Sequence, residues 1–162
     1  MAVTRDIVQS WRGPRAAIRR MLPAATEASA LTYLMIAALL LIVAQAPRLA
    51  REAQLDPAVP IEARILATAM AILAFLPPFA YALAALSHLV ARLFGGRGTW
   101  RGARLALFWS LLAAAPLFLA NGLVAGLLGN GPVRTLTEAV VLAGFLVHWL
   151  LALAETESAR GA

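Results

Sequence analysis

Four apolar runs alternate with short polar stretches along the chain, at residues 28–46, 65–91, 105–128 and 136–154. The first, ASALTYLMIAALLLIVAQA, carries no charge. It reaches roughly the 20 residues that a helix needs to cross hydrocarbon. Thr26 stands before it as a helix N-cap, with Glu27 in the first turn. The pattern predicts an all-α fold: a polytopic transmembrane helical bundle of four spans, preceded by a basic amphipathic N-terminal helix. Residues 1–27 form that cytosolic segment, 28–154 the membrane domain and 155–162 a short polar cytosolic tail.

The second run contains Pro77-Pro78. Twelve residues of helix cover only about 18 Å, so neither half can cross alone. The run therefore predicts one kinked span. The two prolines remove backbone donors and free carbonyls in the preceding turn. Residues 47–63, between the first two spans, read as a solvated outer loop with a short surface helix. Asn130-Gly131-Pro132 predicts a turn. The spacing Thr135-Leu136-Thr137-Glu138 predicts a capping box that opens the fourth helix at residue 136 and occupies its carboxylate; a proton relay through Glu138 is the competing reading.

In the first 22 residues Ile7, Val8, Trp11, Ile18, Met21 and Leu22 recur at helical spacing, with arginines between them. Pro14 suits the first turn of a second short helix. Two readings stand side by side: an interfacial helix lying on anionic lipid through Arg15, Arg19 and Arg20, or a positive flank that only sets topology. Ala44-Gln45-Ala46 resembles a signal cleavage site. The long charged region before it and Pro47 after it favour an uncleaved first helix.

Composition narrows the class. Of 162 residues, 62% are hydrophobic and 14% charged, against about 25% charged for soluble domains. The net charge is +6 and all fourteen basic residues are arginine. Ten of them share one predicted side of the membrane, so the basicity reads as topology rather than nucleic-acid binding. Five lie in the N-terminal segment, four in the central loop and one in the tail, which predicts both termini in the cytosol. With no cysteine and only two histidines, His88 and His148, thiol chemistry is excluded and no metal motif or cofactor site can be assembled. His88 lies near an interface, where a structural hydrogen bond is the better reading.

Residues 92–104, RLFGGRGTWRGAR, hold four arginines, four glycines and no acid between two apolar runs. The chain must return across the bilayer after them. Arg97, Arg101 and Arg104 are candidate contacts for lipid headgroups. The glycine spacing matches neither the P-loop nor the dinucleotide fingerprint. The segment Gly95-Gly96-Arg97-Gly98-Thr99-Trp100, joining two spans, resembles the Yip1 domain family in its bacterial branch. Ala115-Pro116 corresponds to a proline in the family's next span, and Pro14-Arg15 is similar to its N-terminal region. The resemblance covers roughly residues 10–150 and implies a polytopic helical bundle, with no catalytic residues carried over. Longer members have five spans; this chain has room for four. The eukaryotic role in vesicle trafficking does not transfer to bacteria.

In the third run Gly122 and Gly126 form a small-xxx-small face with Asn121 beside it, which predicts close helix packing. Pro77, Pro78 and Pro116 are candidate hinges. The expected function is non-enzymatic: a membrane-organising scaffold that contacts lipid and an unidentified membrane-protein partner, with homo-oligomerisation compatible with the small-residue faces. The competing class is a small transporter or channel subunit using the proline-broken spans. Dry packing of Pro77, Pro78, Pro116 and Asn121 is expected under the first reading, a water-filled cavity under the second. An enzyme ranks last, because no nucleophile and base are paired by spacing.

Overall fold

The computed structural model describes residues 2–158, and it contains helices and connecting turns only among them. Helices α1 (Ala2–Arg12) and α2 (Pro14–Met21) are followed by a 3-10 turn over Leu22–Ala24. Four longer stretches follow: α3 (Glu27–Leu55), α4 (Ile61–Leu93), the pair α5 (Trp100–Ala113) and α6 (Ala115–Leu128), and α7 (Pro132–Ser158). Three helices are long and apolar enough to cross a membrane, or four if the bent pair α5–α6 is one span. Of the expected tail, residues 159–162 lie outside the described residues.

Thr26 caps α3 reciprocally with Ser29: the Thr26 hydroxyl accepts from the Ser29 N–H at 3.1 Å, and Ser29 Oγ accepts from the Thr26 N–H at 2.9 Å. Past Ala46 the helix continues through Pro47 to Leu55, so the expected loop shrinks to residues 56–60. Arg48 bonds Gln45 at 3.0 Å and pairs with Glu52 one turn on, which gives the polar extension local support. α4 is a single helix of 33 residues that passes through Pro77 and Pro78.

The third apolar run bends by 42° between α5 and α6. Pro116 has no N–H for the carbonyl of Leu112, and the Leu117 N–H goes to Ala114 instead of Ala113. The break therefore leaves the Ala113 carbonyl without its helical donor.

The fourth helix opens four residues earlier than the capping-box reading predicts, at Pro132. Proline brings the helical φ ready-made, which puts Thr135 inside the first turn, where its hydroxyl donates to Gly131 O at 3.3 Å. Glu138 pairs with Arg134 at 2.7 Å and reaches back to no cap. At the other end α7 runs on to Ser158, so Thr156 and Glu157 are buried helix and not a polar tail.

The centre of the bundle is α5. Its residues Ala103, Leu105 to Ser110, Leu112 and Ala113 are all buried, enclosed by α3, α4, α7 and the α1–α2 hairpin. Ile18 and Ala17 of α2 are buried, and Ile7, Met21 and Leu22 pack on the cluster of Ala37, Leu105, Ala106, Trp109, Leu112 and Ala152. The apolar stripe of the N-terminal segment is thus covered largely by protein, with Val8 and Trp11 left partly exposed. Helix α6 lies against α3 so closely that a Cβ on Gly122 would fall 1.9 Å from the Ala44 carbonyl oxygen, and one on Gly126 2.5 Å from Pro47 Cβ. Lipid offers no hydrophobic drive for helix pairing, so such backbone contact is what remains to hold helices together.

Candidate functional site

Three polar clusters are built into this frame, and each joins segments far apart in sequence. The first is made by the glycine loop. Gly95 takes a φ of +87°, which suits glycine, and α4 closes with the Gly96 N–H on Ala91 O at 2.9 Å and the Gly95 N–H on Arg92 O at 3.0 Å. Thr99 caps α5 by accepting from the Gly102 N–H at 3.1 Å. Between these two caps lies Glu157 of α7. Its Oε2 accepts from the Gly98 N–H at 3.1 Å, its Oε1 lies 2.6 Å from His88 Nδ1, and its backbone carbonyl accepts from the Arg97 N–H at 2.9 Å. Trp100 packs on the His88 ring with centroids 4.6 Å apart. A Cβ on Gly98 would lie 2.5 Å from Thr156 O, and one on Gly96 2.8 Å from Glu157 Oε2. The loop does cradle an anion, and the anion is a carboxylate of the same chain.

The second cluster is buried between α1, α5 and α7. Ser10 Oγ lies 2.5 Å from His148 Nε2 and accepts from Trp109 Nε1 at 3.0 Å. His148 Nδ1 lies 3.0 Å from Ser110 Oγ, which donates to Ala106 O at 2.6 Å. One set of proton positions satisfies every group: Trp109 N–H to Ser10, Ser10 O–H to His148 Nε2, His148 Nδ1–H to Ser110, and Ser110 O–H to the backbone. A serine beside a histidine has the form of a nucleophile and its base. Here both are sealed, with Ser10 at 0% and His148 at 1% exposure. A substrate has no route to the hydroxyl, and the chain of bonds acts as a clasp that fixes α1 to the bundle.

The third cluster sits where α3, α4 and α5 meet. Arg104 reaches Glu27 at 2.6 Å, the Tyr81 hydroxyl donates to the same carboxylate at 2.7 Å, and the Arg104 guanidinium lies 5.6 Å from the Tyr81 ring centre. Arg19 pairs with Glu155 at 2.6 Å. Of the other candidate headgroup contacts, Arg20 bonds Gln9 at 3.3 Å, and Arg15, Arg97 and Arg101 are exposed.

The candidate hinges do not converge. Pro78 and Pro116 are exposed and Pro77 is half-buried. Asn121 lies on a different contact, where its Oδ1 accepts from the Thr137 hydroxyl at 2.8 Å. Phe75 and Phe79 flank the double proline with most of their surface outside the bundle. Among the described residues no group of three His, Cys, Asp or Glu side chains could hold a metal.

Ser10, Ser110, Thr156 and Glu157 were not among the sequence candidates. Ser10 had a signal: it stands three residues after Ile7 and eight before Ile18, inside an otherwise apolar stripe. Glu157 had none, since two glutamates after an apolar run look like any solvated helix end. No protein-family model, curated protein or solved structure matches this chain.

Proposed function

We propose that the chain is a four-span membrane protein of the Yip1 type, non-enzymatic, which organises the bacterial inner membrane by holding lipid and a partner helix. In this reading α5 and α6 make one broken span and both termini face the cytosol. The observation that carries it is the internal use of the buried polar groups. His88, His148, Ser10, Ser110 and Glu157 bond one another or the backbone and leave little chemistry for a substrate. What the molecule offers outward is apolar: Leu66, Met70, Leu73, Phe75 and Phe79 of α4 are all exposed. Such a face suits acyl chains, a partner helix or a second copy.

The small-transporter reading draws on the 42° break at Ala114, because broken helices line substrate sites in transporters. The outward placement of Pro78 and Pro116 weighs against it. Purification in mild detergent, with identification of what stays bound, tests the proposal. Retention of a defined membrane protein or of a second copy is the expected result. A monomer that moves a solute in proteoliposomes contradicts it.

A further inference from the structure

Among the described residues, the α1–α2 hairpin has one side without a protein neighbour. Its inner side is covered, with Ser10, Ala17 and Ile18 buried. Its outer side carries an open groove of about 480 Å³ lined by Gln9, Arg12, Gly13, Ala16, Arg19 and Arg20. Binding sites for small ligands occupy roughly 300–1,000 Å³. Three guanidinium groups border this one. Arg19 meets Glu155 at 2.6 Å, Arg20 bonds the neutral amide of Gln9 at 3.3 Å, and Arg12 has no carboxylate partner among the described residues. Arg15 is exposed on the next turn, and Asp6, also exposed, precedes Gln9 on α1. The balance around the groove is cationic, with fork-shaped donors that match an oxyanion.

The depth of the hairpin says which oxyanion. Trp11, next to Arg12, bonds the carbonyl of Ala113, and its ring lies against the Cα side of Gly144. Ala113 is nine residues along the chain from Arg104, and Gly144 is eleven from Glu155. At about 1.5 Å per residue the hairpin turn reaches roughly 13–17 Å past those charged ends. If those ends mark the membrane surface, the turn enters about half of a 30 Å hydrocarbon core. Arg12, at the turn, is costly there unless it snorkels outward or meets a counter-charge, whereas Arg19, bonded to Glu155, stands at the charged end. The phosphate of a phospholipid is the anion a bilayer supplies.

We propose that the groove between Gln9, Arg12, Arg19 and Arg20 binds the phosphate of an anionic phospholipid headgroup, between the charged end marked by Glu155 and the deeper Arg12. The inference deepens the lipid-binding part of the proposed function and rests on the membrane placement of the chain.

The test uses the full chain purified in mild detergent and mixed with micelles of dioleoyl phosphatidylglycerol or dioleoyl phosphatidylcholine, with retained lipid read by native mass spectrometry. The wild type is expected to keep phosphatidylglycerol in preference to phosphatidylcholine. The Arg12→Gln/Arg20→Gln pair should lose that preference by at least about tenfold, the scale of one charged hydrogen bond. Arg12→Lys/Arg20→Lys, which keeps the charge but not the fork, should retain part of it and guards against misfolding of the first pair. Arg134→Gln, at the opposite end of the bundle, should leave it unchanged. Equal retention by wild type and the glutamine pair overturns the site. Binding of inorganic phosphate by the wild type with no preference for phosphatidylglycerol over phosphatidylcholine would assign the groove to a free anion and overturn the lipid. Recovery of the wild type in the soluble fraction, without detergent, would instead sink the membrane reading itself.

Discussion

The indole N–H of Trp11 donates to the carbonyl of Ala113 at 2.9 Å, across 102 residues of sequence. That carbonyl is free because of the break before Pro116, where the Leu117 N–H bonds Ala114. The N-terminal hairpin therefore completes the hydrogen bonding of a kinked helix in the middle of the bundle. In lipid an unmet carbonyl costs several kcal/mol, so the kink and the hairpin depend on each other.

Trp11→Phe keeps an aromatic ring and removes the donor. Thermal unfolding in detergent, followed by size-exclusion chromatography, should show a loss of about 1–2 kcal/mol. Pro116→Ala, which removes the cause of the break and lets the Leu117 N–H return to the Ala113 carbonyl, should reduce the penalty of Trp11→Phe. An unchanged penalty would mean that the two features are independent.

The clasp around His148 makes a sharper demand. Ser10→Ala leaves Trp109 Nε1 and His148 Nε2 without the partner that both share. An orphaned buried polar group costs about 1–3 kcal/mol, so this single hydroxyl should matter more than its size suggests. Limited proteolysis should then cut α1 faster than in the wild type, while α7 stays protected. Equal cleavage rates would show that α1 is held by its apolar contacts alone.

Much of this was legible in advance and some was not, for identifiable reasons. Charge-free runs of about 20 residues declare themselves, and the Thr26 cap is written in the residues next to it. Gly122 and Gly126 were readable as a packing face because four-residue spacing puts both on one side of a helix. The capping box at Thr135 misled because Pro132, three residues earlier, starts the helix first. The clusters that fix the hairpin and the glycine loop were hidden, because Ser10–His148 and His88–Glu157 close over 138 and 69 residues. A local pattern carries no trace of a partner that far away.

Glycine substitutions separate close approach from empty space. A Cβ at Gly98 or Gly122 would meet backbone oxygen at 2.5 Å and 1.9 Å, whereas one at Gly131 meets nothing within 4 Å. Gly98→Ala and Gly122→Ala should each destabilise by about 1–3 kcal/mol, the usual range for overpacking. Gly131→Ala should change thermal stability by less than about 0.5 kcal/mol. Comparable losses at all three positions would refute the contacts.

Glu157 holds the loop by its charge as well as its shape, since charged hydrogen bonds are roughly twice as strong as neutral ones. Glu157→Gln should loosen the loop partly and Glu157→Ala fully. Trypsin cleavage after the exposed Arg97 reports this directly, with rates expected to rise in the order wild type, glutamine, alanine. Identical rates would leave the carboxylate without a part in ordering the loop.

The central claim is that the polypeptide crosses a bilayer four times, with the glycine loop on the inner side. The chain has no cysteine, so single cysteines can be placed without background. Ala58→Cys, Gly131→Cys and Phe94→Cys all fall at exposed positions between helices. In intact cells a membrane-impermeant maleimide should label the variants at 58 and 131 and spare the one at 94 until the membrane is permeabilised. Labelling at 94 in intact cells, or protection of 58 and 131, would contradict the account.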